Sequence, residues 1–367
     1  MATEAVGEVE VRVPTWTRDA DRVLGSALRE VPLLAAVTPR GGMTQAEIVA
    51  SFEAGQPRSP GWTYAPLDPE RGSAIAAALD SSGDALAHHE PSVLARAYAA
   101  RAYELALEAL LATEVGTAGF AARARLRFAP DATDEATKLA EAWVRETEPE
   151  PTIDCTSDGE EPTSLASRLR EEIGKHLFPF RVLVSPSLAP LAATGQRVVL
   201  VAAGRTIARV DVERTVLHEL EGHVRPRVRA SILSPGLFAV GSARGADDQE
   251  GLALLYEERH GFLVGARRRE LALRHRAVLA MDDGATFVET VQALVSRDHA
   301  PLGRAVAAAS RAFRGSAGET AGLGRERVYL SGFARVAACV RARPVNEVVL
   351  ASGQVAVDAV DALARYT

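Results

Sequence analysis

The first third of the chain carries apolar side chains at the three- and four-residue spacing that is typical of helices. Residues 18–36 show it with Val23, Leu24 and Leu28, while the proline- and glycine-rich residues 55–71 predict an extended strap instead. Helices are also predicted at residues 44–54, from residue 73, after residue 91 and at residues 134–145.

The pattern then changes. The acidic, turn-rich residues 146–162 predict a surface connection or a mobile loop, and residues 164–176 predict a helix. Short β-branched runs at residues 178–184, 197–201 and 206–210 predict the strands of a small sheet.

After the strands, Asp211 is expected to cap a helix, and residues 224–248 are expected to form an irregular loop. Together the elements predict an α+β fold that is mostly helical, with a small mixed β-sheet next to one helix. The remaining helices are predicted at residues 249–276, 286–300, 302–314, 326–341 and 355–366.

The composition is that of an ordinary globular protein, because 47% of the 367 residues are hydrophobic. We predict an N-terminal helical region, residues 1–130, packed on a second region, residues 131–367, in one compact unit. A net charge of −6 gives no basic surface for nucleic acid or for acidic lipids, so neither is expected as a partner.

The two cysteines, Cys155 and Cys339, are far apart and form no metal or redox motif, which fits a reducing compartment. Residues 1–16 lack the basic start and apolar core of a signal peptide, and no apolar run reaches membrane-spanning length. A cytoplasmic protein of open oligomeric state is predicted.

The segment His218-Glu219-Leu220-Glu221-Gly222-His223 carries the local chemistry of a zinc hydrolase. Neutral imidazoles can hold the metal, and the carboxylate of Glu219 can take a proton from water. The histidines are five residues apart, which places them about 140° apart around a regular α-helix. A π-type turn would bring them to one face, and Gly222 would ease that distortion.

A catalytic zinc needs a third protein ligand. Glu250 stands at the start of an apolar helix, in the segment Gln249-Glu250-Gly251-Leu252-Ala253, where it is well placed to be that ligand. An N-terminal carboxylate that only stabilises the helix dipole is the alternative.

These two segments resemble the bacterial flavohemoglobin expression-modulating QEGLA-motif proteins, which are related to the animal microtubule-associated tubulin tyrosine carboxypeptidases. The resemblance implies that His218, His223 and Glu250 are zinc ligands and that Glu219 is the general base. By analogy with zinc peptidases, it also implies a gluzincin-like fold with extra N-terminal helices.

A third segment, residues 324–332, is similar to the family's Lys-Asp-x-x-Tyr-x-x-Gly stretch. Tyr329 could pack in the core or donate its hydroxyl to the oxyanion of a tetrahedral intermediate. Arg325 and Arg327 could form a solvated helix start, or one of them could clamp a substrate carboxylate. The residues Arg-Pro-Arg-Val-Arg at 225–229 depart from the turn that often follows the metal helix in relatives, which leaves substrate specificity open.

Other polar clusters have simpler interpretations. The basic run formed by Arg267, Arg268, Arg269, Arg274 and Arg276 predicts a solvated helix face, which could alternatively meet an acidic peptide. The remaining histidines have no partner at metal spacing, so His88 and His89 are expected at the surface or at a cap, and His176, His260, His275 and His299 are expected to be structural.

The predicted function is a zinc-dependent metallopeptidase, carboxypeptidase-like in its action on a peptide or protein C-terminus. A zinc endopeptidase or amidase would use the same chemistry. A metal-stabilised regulatory or interaction protein without catalysis is the alternative from a different class.

Overall fold

The computed structural model describes residues 12–31, 33–88, 92–129, 133–147, 152–186, 188 and 190–367. Residues 1–11, which make up most of the segment without signal-peptide features, and His89 lie outside the described residues. The fold is mostly helical, which confirms the α+β prediction, but the strand predicted at residues 206–210 belongs to a second small sheet rather than to the single sheet that was expected. Whether it divides near residue 130 stays a prediction.

The N-terminal helices follow the predicted apolar pattern, except that the helix at residues 120–127 was not predicted and one predicted helix is divided in two. The helix predicted over residues 18–36 is two helices, because Val31 leaves the helical region ahead of the proline at position 32, which disfavours it there. The helices are α1 (Thr17–Glu30), α2 (Leu33–Ala36), α3 (Gln45–Glu53), α4 (Pro69–His88), α5 (Val93–Thr113), α6 (Phe120–Arg127), α7 (Glu135–Trp143) and α8 (Leu165–Lys175).

The strap between α3 and α4 is extended, as predicted, but it ends where α4 begins at Pro69, so residues 69–71 are helical. The strap connects distant parts of the chain. The Trp62 indole donates to the Met43 carbonyl at 3.0 Å, and the Tyr64 hydroxyl donates to the Ser316 carbonyl at 2.8 Å. The N-terminal helices are therefore connected to the C-terminal half through the strap.

Five short strands form two sheets: β1 (Ile153–Thr156), β2 (Arg181–Ser185), β3 (Ala192–Thr194), β4 (Val198–Ala202) and β5 (Thr206–Ala208). In the three-stranded sheet, central β4 is parallel to β2 and antiparallel to β3. Strand β1 pairs with β5, so the prediction of a mere surface connection at residues 146–162 was wrong in its second half. Pairing satisfies the β1 backbone and buries Cys155.

The C-terminal half begins with α9 (Arg209–Leu217), which continues into a π-helix (His218–Val224). Asp211 does not cap α9; it lies in the first turn and accepts a hydrogen bond from Arg214 at 2.9 Å. The following elements are α10 (Arg225–Ala230), α11 (Leu237–Val240), α12 (Gly245–Arg259), α13 (Gly265–Asp282), α14 (Phe287–Arg297), α15 (Leu302–Ala312), a 3-10 turn (Arg325–Arg327), α16 (Val328–Ala342), α17 (Asn346–Leu350), a 3-10 turn (Val357–Ala359), α18 (Val360–Leu363) and a 3-10 turn (Ala364–Tyr366).

Three predictions for this half were wrong in detail. Residues 224–248 are not an irregular loop, since α10, α11 and the start of α12 lie there. The helix predicted over residues 249–276 is interrupted after Arg259, where Gly261 has a φ of +76° that ends a helix without steric cost. The helix predicted over residues 355–366 is one short α-helix between two 3-10 turns.

The π-helix lies between two hydrophobic clusters. A smaller cluster joins the sheet residues Val199 and Val201 to Leu220 of the π-helix. A larger cluster combines N-terminal helices with α11 to α18. Within the part of the chain that the structure describes, none of the helices has the length and hydrophobicity that crossing a bilayer requires.

Close helix approaches at glycines bring the three motif segments together. A Cβ atom on Gly222 would overlap the Ala253 Cβ, so the π-helix touches α12 at that point. A Cβ atom on Gly251 would overlap the Gly332 backbone, so α12 and α16 also meet at backbone distance. As a result, the segments around residues 218, 250 and 329 converge.

Candidate metal centre

The π-helix brings the two histidines to the same face. The Arg225 amide donates to the Leu220 carbonyl, which is the i to i+5 bond that defines such a turn. The rings of His218 and His223 lie 5.2 Å apart between centroids. The predicted widened turn between the two histidines is therefore confirmed.

Glu250 approaches both imidazoles from α12. Its Oε2 atom lies 3.4 Å from His218 Nε2 and 3.8 Å from His223 Nε2. Donor atoms of the three residues all lie within 4.8 Å of one another. Two donors on a tetrahedral zinc lie about 3.4 Å apart, so a nitrogen-nitrogen-oxygen set at these separations fits that ion.

The far side of each ring is held by a hydrogen bond. His218 Nδ1 donates to Glu257 Oε1 at 2.8 Å, and His223 Nδ1 lies 2.9 Å from Gln249 Oε1. Because an amide oxygen only accepts, Nδ1 carries the proton and Nε2 of His223 keeps its lone pair for a metal. Gln249 is itself oriented by donating to the Gly353 carbonyl at 3.3 Å.

Electrostatics distinguish the two histidines. Burial works against a charged His218, but hydrogen bonds to Glu250 and Glu257 outweigh it and raise its pKa to about 9. Burial lowers the pKa of His223 despite the nearby Glu250. Burial likewise opposes ionisation of Glu257, yet Arg267 and His218 lower its pKa to about 2. The centre thus contains anionic oxygens that favour a bound cation.

Glu219 is buried next to the histidines, with 5% of its surface exposed. Its Oε2 atom accepts a hydrogen bond of 2.6 Å from the Thr194 hydroxyl on β3. The side chain is thereby fixed by the edge strand of the three-stranded sheet, and the carboxylate is kept near the imidazoles rather than in solvent.

The sequence analysis did not identify the residues that orient the centre, which are Glu257 and Gln249 for the histidines and Thr194 for Glu219. Glu257 could have been found, because seven residues after Glu250 it returns to within about 20° of the same helix face. Gln249 is part of the motif that pointed to Glu250. Thr194 lies on a strand of only three residues with no pattern to indicate it.

The third predicted segment lies beside the centre through Arg325 and Tyr329. Arg325 Nη2 is 3.2 Å from Glu250 Oε1. Tyr329 is buried, and the guanidinium carbon of Arg274 lies over its ring, 5.5 Å from the ring centroid. Burial and the nearby Glu250 raise the pKa of the Tyr329 hydroxyl. Arg327 is elsewhere engaged, since it pairs with Asp282.

Residues 51–367 match the family model of the microtubule-associated tyrosine carboxypeptidases. The chain belongs to this family. A comparison with individually curated proteins gives no significant match. The matched range of the tyrosine carboxypeptidase family includes every residue of the centre and both helices that hold Glu250 and Tyr329.

Within the same range, the basic run on α13 is not the solvated face that was predicted. Arg267 contacts both oxygens of Glu257, at 3.0 and 3.1 Å, and also pairs with Glu270 at 3.0 Å. Arg274 pairs with Glu270 and lies 3.7 Å from the buried Glu326. These arginines are turned inwards because the carboxylates around the centre need counter-charges.

The other arginines of the run also have partners. Arg268 contacts Glu146 at 3.2 Å, Arg276 contacts Asp298 at 2.8 Å, and Arg269 donates to the His299 carbonyl at 2.7 Å. Among the described histidines, His218 and His223 are in a group that could hold a metal ion, and the others are not. His176 stacks on Phe178, whereas His275 is buried in α13.

Proposed function

We propose that the protein is a zinc-dependent peptidase that removes residues from the C-terminus of a peptide or protein. The convergence of His218, His223 and Glu250 beside the fixed carboxylate of Glu219 carries this proposal. The family's name, which specifies a tyrosine carboxypeptidase, supports the same chemistry. We further propose a gluzincin-like arrangement, membership of the bacterial QEGLA-motif branch and a cytoplasmic location.

In this proposal the three ligands would hold zinc through His218 Nε2, His223 Nε2 and a Glu250 oxygen. When bound, zinc supplies Lewis acidity toward a carbonyl and toward water. Glu219 takes the proton from the attacking water and later delivers it to the leaving amine. The Thr194 hydrogen bond orients the Glu219 carboxylate for both transfers.

Tyr329 is proposed to donate its hydroxyl to the oxygen that gains negative charge during attack. Burial raises the pKa of this phenol, so it stays protonated and remains a donor at neutral pH. Arg325 supports Glu250 by pairing with its second oxygen. The substrate-binding role predicted for Arg325 and Arg327 stays a prediction, and the pairing of Arg327 with Asp282 favours a supporting role in the 3-10 turn.

A pair of glutamate variants tests the proposal. Glu219→Gln keeps the hydrogen-bonding shape but removes the base, so zinc content should be unchanged while peptide hydrolysis falls by about 10²- to 10⁴-fold. Glu221→Gln is the matched control in the same π-helix, since Glu221 pairs with Arg225 at 2.8 Å. Zinc is measured by atomic emission, and hydrolysis by release of tyrosine from a short peptide that ends in that residue.

The substrate's C-terminus separates the peptidase classes in the same assay. A carboxypeptidase should lose most of its activity when the peptide is amidated, whereas an endopeptidase should cleave both forms. Wild-type protein that binds no zinc at micromolar supply would refute the proposal. Zinc binding without hydrolysis of any peptide would favour the metal-stabilised regulatory protein instead.

A further inference from the structure

Arg227 lies one helical turn beyond the second histidine. Helix α10 continues from the π-helix, so residue 227 follows His223 on the same side of the chain. Its Nη1 atom is 3.5 Å from the His223 carbonyl oxygen and 3.4 Å from Gln249 Oε1. The guanidinium is thus placed at the edge of the metal centre by two long contacts to neutral oxygens.

The neighbouring arginines of α10 are engaged differently. Arg225 forms a two-pronged pair with Glu221, at 2.8 and 2.9 Å, and lies over the Phe178 ring. Arg229 is exposed and lies 3.4 Å from the Ala351 carbonyl. Neither side chain is directed at the centre by its contacts, although all three arginines come from the segment that departs from the family pattern.

Arg227 retains unused hydrogen-bond donors. Among the described residues, no carboxylate oxygen lies within 4.0 Å of it, and its two contacts use Nη1 alone. Its Nε and Nη2 atoms are not among the buried polar atoms that lack a partner, so they are open to solvent. A guanidinium has five N–H donors in a planar fork, and most of them remain available here.

The charge of Arg227 interacts with two carboxylates of the centre. Burial lowers the pKa of Arg227, while Glu219 and Glu250 act in the opposite direction and favour its charged form. Arg325, in contrast, already has a carboxylate partner, because its Nη2 lies 3.2 Å from Glu250 Oε1. An incoming anion would therefore meet a guanidinium that has no ion pair with a described carboxylate at Arg227, whereas the guanidinium of Arg325 is already paired with Glu250.

We propose that Arg227 is the specificity-determining residue that binds the free carboxylate at the substrate's C-terminus. The planar fork accepts a carboxylate through two parallel hydrogen bonds, and the half-buried position beside the centre strengthens them. This assignment rests on the proposed function, since it names the group that would distinguish a C-terminal from an internal peptide bond. It also gives the Arg-Pro-Arg-Val-Arg segment a role in substrate choice.

The test uses equilibrium binding and does not depend on turnover. The zinc-loaded Glu219→Gln protein is titrated calorimetrically with a short peptide ending in tyrosine, as the free acid and as the amide. The parent should bind the acid at least about tenfold more tightly, because a charge-assisted pair contributes more than 1.4 kcal/mol. Adding Arg227→Met should abolish this preference, and Arg227→Lys should retain part of it.

Arg229→Met is the matched control and should preserve the full preference, since Arg229 is an exposed residue of the same helix. Zinc content is measured for every variant, because Arg227 also contacts Gln249. If Arg227→Met loses zinc or binds neither peptide, the acid-to-amide ratio of Arg227→Lys decides the matter: a full preference there overturns the assignment, and a reduced one supports it.

A parent protein without preference for the acid, or an Arg227→Met variant with the parent's preference, overturns the assignment. The proposed function fails separately, through absence of hydrolysis by the wild-type protein. A preference for the acid that depends on Arg227 would stand even then, because Glu219→Gln is measured only for binding.

Discussion

At the residue scale, the geometry of the candidate metal centre depends on the hydrogen-bond partners of the proposed ligands as much as on the ligands themselves. The two imidazoles have unlike partners on Nδ1, a carboxylate for His218 and an amide for His223. The carboxylate of Glu257 in turn accepts hydrogen bonds from Nε and Nη2 of Arg267. His218 is consequently the more basic of the two candidate ligands, and its orientation depends on residues of two other helices.

Removing the Glu257 charge should weaken metal binding. Glu257→Gln is expected to lower zinc affinity by about 10- to 100-fold, because partners that orient a ligating histidine contribute that much. Competition with a chromophoric chelator measures the affinity. The adjacent, exposed Glu258 supplies the control, and Glu258→Gln should bind zinc like the wild type. Equal affinities for the two variants would show that Glu257 does not support the ligand.

Residues within contiguous motifs could be predicted from the sequence, and those joined by long-range contacts could not. His218, His223 and Glu250 stand in short segments whose residue types and spacing already indicate metal ligation. Thr194 meets Glu219 across 25 positions of sequence through a hydroxyl, and nothing in its own neighbourhood predicts that contact. Its role became apparent only once β3 was placed beside the π-helix.

At the scale of the elements, the π-helix and α12 are fitted to each other at Gly222. The sequence suggested that this glycine eases the widened turn, but the structure gives a second reason, which is the approach of Ala253. The contact fixes how far Glu250 stands from the histidines. A larger residue at position 222 would therefore act on the metal centre and on stability together.

Gly222→Ala should cost about 1 to 3 kcal/mol in the free energy of unfolding, as overpacking typically does, and should also weaken zinc binding. Thermal denaturation with and without zinc measures both effects. Adding Ala253→Gly to Gly222→Ala removes the Cβ atom that the new side chain would overlap, so it should restore much of the lost stability and zinc affinity. Gly174→Ala is the control on α8, where a Cβ atom would meet nothing within 4 Å, and it should not destabilise.

Some element boundaries could not be predicted from the chain pattern for a related reason. Residues 224–248 are rich in proline, glycine and arginine, yet α10 forms because its residues continue directly from the π-helix. Strand β1 exists through pairing with β5, about fifty residues later, rather than through a strong local pattern. Short elements of this kind depend on tertiary partners that a local pattern does not reveal.

At the scale of the whole molecule, alternating buried charges link the metal centre to distant helices. From His218 they pass through Glu257, Arg267 and Glu270 to Arg274. Glu326 then joins Arg274 to Arg311 and Arg314, at 3.0 and 2.8 Å for the last two. The α13 arginines were mistaken for a solvated face because their partners are set by packing of α12, α13, α15 and the 3-10 turn.

His275, between two of these arginines, should make stability depend on pH. Burial, with Arg327 and Arg276, lowers its pKa from 6.5 to about 4. The unfolded chain therefore binds more protons between these values, and stability falls as the pH drops from 6.5 through 4. The full loss is about 3 kcal/mol, from about 1.4 kcal/mol for each pH unit of the shift.

In chelator-treated protein, His275→Gln should reduce this acid loss relative to the wild type. Urea unfolding at pH 7.5, 6, 5 and 4.5 measures the difference between the two proteins. His260→Gln, at an exposed position after α12, should follow the wild-type curve. A wild-type-like slope in His275→Gln would show that another group is responsible.

The crossing of α12 and α16 at Gly251 and Gly332 has a consequence for how a substrate can enter. With backbone against backbone there are no side chains that could rotate aside, so these two helices cannot slide past each other or part without breaking their contact. Glu250 and Tyr329 therefore form one rigid side of the candidate site. A movement that admits substrate is therefore expected on the side of Glu219, where Thr194 lies on a three-residue edge strand.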